Sequence, residues 1–200
     1  MTEPVGQPLA LPLAGERRER SDARANRERI LRAARELLSQ RGADGTSIDA
    51  VAEAAGVGKG TVFRRFGDRA GLIRALLDEQ MRDFQDAFLR GEPPLGPGAP
   101  ARERLEAFVE ELLRLQDTNL ELVLAAEDAE ARMAVLGTLG LHVRILLGQI
   151  DSGIDADAVA AMLLGSLAPH VIRHLRRDEG LTLEAIQAGA RTLLRGLTGP

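Results

Sequence analysis

Lys59, Thr61, Arg64 and Arg65 stand within seven consecutive residues, directly after Gly56-Val57-Gly58. An ammonium, a hydroxyl and two guanidiniums on so short a run are hydrogen-bond donors. They suit the phosphate oxygens of a nucleic acid and the acceptors on its base edges. Gly60 removes a side chain from the middle of the run and lets another backbone come close. The nearby residue types extend the same chemistry: the hydroxyls of Thr46 and Ser47 upstream, the guanidinium of Arg69 downstream, and Phe63 as an apolar surface.

Such donors are useful only on a rigid frame, and the flanking sequence supplies one. Thr46 followed three residues later by Asp49 resembles a capping box, with Ile48, Val51 and Ala52 turned inward until Gly56. After the Gly56-Val57 turn, Gly58 opens a second helix of about two turns, on which Val62 and Phe66 at i, i+4 pack down. Small residues at Ala54, Ala55 and Gly56 let the two helices approach. Helix, tight turn, helix is the unit that lays its second helix in the major groove. A longer helix from about Asp22 to Arg41 precedes it, with Ile30, Ala34, Leu37 and Leu38 on one face and Gly42 as its stop. A further helix follows Asp68 and carries Leu72, Ile73, Leu76, Leu77, Phe84 and Phe88 as an apolar stripe.

The charge distribution agrees. The chain of 200 residues has a net charge of -4. Residues 16–74 nevertheless hold fourteen basic against nine acidic side chains, and the rest holds twelve against twenty-one. A basic module joined to an acidic body is what nucleic-acid binding calls for. There is no cysteine, so disulfides, thiolate catalysis and Cys-based zinc sites are excluded. No apolar run approaches the length of a membrane span. Residues 1–20 read as a disordered cytoplasmic arm without the features of a secretory leader, and the Arg17-Arg18-Arg20-Arg24 cluster is either an extension of the footprint or a solvated charge run.

Residues 30–76, ILRAARELLSQRGADGTSIDAVAEAAGVGKGTVFRRFGDRAGLIRAL, resemble the N-terminal domain of TetR-family transcriptional regulators. The resemblance is carried by Ala33-Ala34, Thr46-Ser47, Ala55-Gly56-Val57, Gly60-Thr61-Val62-Phe63, Phe66 and Arg69. It implies that Thr46 and Ser47 cap the helix and touch phosphate, and that Lys59, Gly60 and Thr61 sit at the groove. It further implies that Arg64 and Arg65 read or clamp the duplex, and that Arg69 grips the backbone. Phe63 departs from the family, which usually has Tyr there, so a phosphate hydrogen bond gives way to apolar contact.

The rest of the chain reads as helical too, with no alternating strand pattern, so the fold class is all-α. The expected organisation is an arm over 1–20, a three-helix helix-turn-helix domain over 21–67 and a connecting helix over 68–90. After the Gly- and Pro-rich linker 91–100, an effector-binding and dimerisation domain spans 101–198. Its helices are expected at Ala101–Leu115, Ala129–Ile150, Asp155–Arg177 and Thr182–Leu197, with a short piece near 119–126. The resemblance implies a small-molecule effector and a homodimer built on the last two helices. Ala160, Ala161, Gly165 and Ser166 would permit close approach there, and Leu163 and Leu193 lie on the apolar stripes. Candidate effector contacts are Phe84, Phe88, Phe108, Asn119, His142, Arg144 and His170 in an aliphatic lining. His170, His174 and Asp178 at i, i+4 and i+8 could share one helix face. The helix macrodipole and solvent explain the two histidines as well, so no metal or cofactor is assigned.

Nucleophile–base pairs, phosphate loops and His-Glu zinc helices are missing from the sequence, which argues against an enzyme. The expected function is a regulator, most simply a repressor released by its effector from a pseudo-palindromic double-stranded operator. A helical protein-binding adaptor is the alternative.

Overall fold

The computed structural model describes the backbone of residues 14–42, 46–125, 129–151 and 153–198, and the side chains of these except 14–21, 125, 129–136 and 198. All its regular elements are helices: α1 (Ala14–Arg41), α2 (Ile48–Ala54), α3 (Lys59–Phe66), α4 (Arg69–Arg90), α5 (Ala101–Thr118), α6 (Leu120–Ala125), α7 (Ala129–Ile150), α8 (Ala156–Ser166), α9 (Pro169–Arg173) and α10 (Leu183–Thr198). Residues up to Leu72 form one compact unit and those from Ile73 onward a second. Among the described residues, no single helix is long and apolar enough to cross a membrane.

The first unit packs α2 against both α1 and α3. Ile30, Leu31, Ala34 and Leu37 of α1 meet a core completed by Val51, Ala52, Ala55, Val62, Phe66 and Leu72, all buried. Helix α1 begins at Ala14, well before the expected Asp22, while residues 1–13 of the expected arm lie outside the described residues. Apart from Gly15, its first two turns are Ala, Glu and Arg, strong helix formers that prolong a helix without the apolar periodicity that would announce it. Gly56 and Gly67 close α2 and α3 with φ of 62° and 77°, the left-handed conformation that side chains other than glycine adopt only under strain.

The second unit is organised around α5, which packs against α6, α7, α9 and α10, with α8 laid on α7. Phe88, Phe108, Leu112, Leu113, Leu146, Leu147, Ile172 and Leu194 anchor its core. The linker interrupts the helices as expected, and α7 has the expected bounds. The single helix expected over Asp155–Arg177 is broken. Pro169 has no amide to donate and forces Ala168 into an extended conformation, with φ -64° and ψ 145°. The chain bends by 42° there. Helix α9 then widens into a π-helical turn, His174–Asp178. Arg176 fastens that turn, its Nε donating to Asp117 Oδ1 at 2.6 Å and its Nη1 to the Leu181 carbonyl at 2.9 Å.

Candidate nucleic-acid interface

Helix α3 is only eight residues long, too short to hold its shape unaided. Val62 and Phe66 bury one side of it. Arg65 reaches back from its last turn and donates to the Ala23 carbonyl of α1, and the Arg27 guanidinium lies 5.3 Å from the centre of the Phe66 ring. With the inner side fixed, Lys59, Phe63 and Arg64 are exposed on the outer one and Thr61 is half-buried. Phe63 is 60% exposed, a large apolar ring in water. Gly60 is exposed beside them, and a Cβ built on it would meet nothing within 4 Å.

The cap of α2 differs from that expected. Thr46 was expected to cap α2, but Ser47 is the cap, its Oγ accepting from the Ala50 amide at 3.2 Å. Thr46 is 2% exposed and its hydroxyl donates to the Gly42 carbonyl at 2.9 Å, so it closes the α1–α2 turn. With two adjacent hydroxyls able to cap, the one whose Cβ faces the core is taken inward. Arg69 donates through Nε to the Thr46 carbonyl at 3.0 Å, holding that same turn while remaining exposed. Asp49, read in the sequence only as part of the cap, receives the Lys59 ammonium at 2.8 Å. Its partner ten residues on lies beyond any local pattern.

In the second unit four effector candidates come together. The Phe84, Phe88 and Phe108 rings lie with centroids 5.0–5.2 Å apart, and the His142 ring lies 4.3 Å from Phe88 and 5.2 Å from Phe108. Burial pushes the His142 pKa down to about 4, with the nearby Arg104 charge adding to the effect. His142 Nε2 is buried without a hydrogen-bond partner. Arg104 was not singled out in the sequence. It donates from Nη2 to the Phe88 carbonyl in the last turn of α4, while its Nε is buried without a partner. A basic residue one turn into a helix is electrostatically misplaced, and that signal was available.

The other candidates stand apart from this group. Asn119 ends α5, its Nδ2 donating to the Leu115 carbonyl at 2.7 Å. Arg144 pairs with Asp157 at 3.2 Å. His170 is exposed. His174 is engaged with Asp178 at 2.8 Å and Glu179 at 3.4 Å, and the described residues contain no group of three or more His, Asp or Glu placed to hold a metal.

Residues 30–76 match the family model described as bacterial regulatory proteins, tetR family. Across most of its length the chain is 30% identical to the probable HTH-type transcriptional regulator ArpR of Pseudomonas putida, covering 74% of this chain and 79% of that one. The chain belongs to the tetR family of bacterial regulatory proteins. It is also similar to the fatty acid metabolism regulator protein of Bacillus subtilis, at 25% identity over 82% of this chain and 91% of the relative. The solved structure of the regulator FadR from Bacillus subtilis in complex with stearoyl-CoA shares the fold. Its TM-score is 0.60 at 21% identity, over 84% of this chain and 96% of that one. This tetR-family chain is a DNA-binding transcriptional regulator with an all-α fold.

Proposed function

We propose that the protein is a repressor that holds a pseudo-palindromic operator as a homodimer in the cytoplasm and releases it when a small apolar effector enters the second unit. The observation that carries the reading is the outer side of α3, where Lys59, Phe63 and Arg64 stand exposed around a glycine whose missing side chain no protein atom requires. A duplex backbone supplies the missing reason. In this docking Lys59, Thr61 and Arg64 meet phosphates and base edges, Phe63 meets sugar or a thymine methyl, and Ser47 lies at the near phosphates. Arg65 and Arg69 keep α3 aimed.

The dimer reading is supported by α8 and α10. Met162 is 77% exposed, Leu193 61% and Leu197 44%. Ala161, Gly165, Ala185, Gly189 and Gly196, also exposed, lie along the same two helices and allow close helix packing. One α3 covers few base pairs, so two copies related by a two-fold axis would read half-sites about one helical turn apart. The effector would lodge beside Phe84, Phe88, Phe108 and His142, where an apolar body finds aromatic and aliphatic partners and an acceptor finds buried donors. A structure of this fold is solved with stearoyl-CoA, a ligand whose acyl chain is apolar and whose CoA part is anionic.

The test is selection of duplexes from a random library, followed by affinity measurements on the enriched sequence across salt concentrations. The enriched duplex should be a pseudo-palindrome, and the slope of log affinity against log salt should be on the order of -5 or steeper. Arg64→Ala should cost about 1–3 kcal/mol of affinity with the fold intact. Absence of any enriched sequence would defeat the proposal.

A further inference from the structure

Asp49 lies in the first turn of α2, and Lys59 is the first residue of α3. The Lys59 ammonium is 2.8 Å from Asp49 Oδ1 and 2.9 Å from Oδ2. The lysine side chain is 66% exposed and the aspartate 65%. An ion pair so open to water adds little to folding stability. The two helices are already held together by Val51, Ala52, Ala55, Val62 and Phe66, all buried. A lysine at the first position of a helix also faces the positive end of the macrodipole, so helix stability does not explain its place. What the pair does accomplish is to fix one end of a four-carbon side chain and to cancel its charge.

Both effects bear on DNA. Binding to a duplex of arbitrary sequence comes from neutralising phosphates and releasing counterions. A lysine already held by a carboxylate adds less to that term than a free one, and the carboxylate itself repels phosphate. An ammonium has three N–H donors. Where the bases fit α3 and docking is close, a phosphate can accept from the ammonium in the position Asp49 gives it, and neither partner need let go. Where docking is loose, Lys59 must leave Asp49 to reach a phosphate.

We infer that Asp49 is a positioning residue for selectivity: by holding Lys59 it weakens binding to arbitrary duplex more than binding to the operator. The inference rests on α3 being the element that enters the groove. It is tested on the full chain as wild type, Asp49→Asn, Asp49→Glu, Lys59→Gln and the double variant Asp49→Asn with Lys59→Gln. Two probes are used: a random-sequence duplex and the duplex that wild type enriches from a random library. Asp49→Asn should bind the random duplex about fivefold tighter or more near 0.1 M salt, with a log affinity against log salt slope steeper by about one per subunit. Its affinity for the enriched duplex should change by a smaller factor, Asp49→Glu should behave as wild type, and Asp49→Asn should have no effect in the Lys59→Gln background.

Equal changes on both duplexes would overturn the inference, as would an Asp49→Asn effect that survives in Lys59→Gln. A lowered melting temperature with an unaltered salt slope would reduce Asp49 to a structural brace and overturn it as well. If wild type enriches no duplex, the groove assignment of α3 falls, while the random-duplex arm still decides whether Asp49 masks Lys59.

Discussion

In the first unit the buried hydroxyl of Thr46 is paired with the Gly42 carbonyl, and the strong donors of α3 stand in solvent. In the second unit His142 is 7% exposed with Nε2 unpartnered, and Arg104 Nε, Gln80 Oε1 and Gln116 Oε1 are buried in the same condition. A surface that must meet a partner in one fixed geometry gains from an interior whose polar groups are all satisfied. Buried orphan donors and acceptors do the reverse, because they leave free energy that a ligand or an ordered water can recover. Under the proposed function, the contrast between the units is one between a reader whose buried Thr46 is satisfied and a body with orphan groups that an effector can meet.

Charging the two sides of α8 gives the largest effects. Leu163, expected from its sequence on the dimer face, is 6% exposed and belongs to the core, whereas its neighbour Met162 is 77% exposed. Leu163→Asp buries a carboxylate without a partner and should cost about 4 kcal/mol or more, collapsing the helical signal of the second unit in circular dichroism. Met162→Asp should leave each subunit folded, with its helical signal intact in circular dichroism, and lose the dimer in analytical ultracentrifugation. A folded Leu163→Asp protein would remove α8 from the core of the second unit.

Next comes the protonation of His142. Its pKa falls from 6.5 to about 4 on folding, so below pH 6.5 the unfolded chain takes up a proton that the folded chain refuses. The stability this group contributes is complete above pH 6.5 and is lost progressively as pH falls toward 4, by up to about 3 kcal/mol. Urea melts over pH 7 to 4 should show that loss in wild type and a flatter dependence in His142→Gln. Parallel curves for the two proteins would mean that His142 is solvated in the folded state and would erase half of the contrast.

The smallest effect sharpens the other half. Gly60→Ala meets no atom of the protein and replaces glycine within a helix, so it should raise stability by about 0.5 kcal/mol or leave it unchanged. Affinity for the enriched duplex should fall all the same. An alanine variant that binds as wild type would show that no backbone approaches that point.

How much of this was readable in the chain depended on range. The hairpin was, because Gly56, Gly58, Val62 and Phe66 are local signals whose meaning needs no distant partner. The early start of α1 was not, since residues 14–20, AGERRER, have no periodic apolar face. Pro169 stands inside the apolar run that made a single helix the expectation, although a missing amide interrupts a helix whatever surrounds it. The choice of Ser47 over Thr46 as cap turned on one residue of register. Arg104 and His142 are 38 residues apart, and nothing local marks them as neighbours through Phe88. Asp49 and Lys59 were both noticed, each for a different reason.

A Cβ on Gly71 would lie 1.9 Å from the Phe66 carbonyl oxygen, a backbone atom that only a shift of the main chain could move away. Over descent this sets two clocks in one short stretch. At Gly71 the protein itself forbids a side chain, so a lineage that came to read quite different DNA would still need the glycine. At Gly60, under the proposed docking, the prohibition belongs to the duplex, and a lineage that moved to a new operator would be at liberty to abandon it.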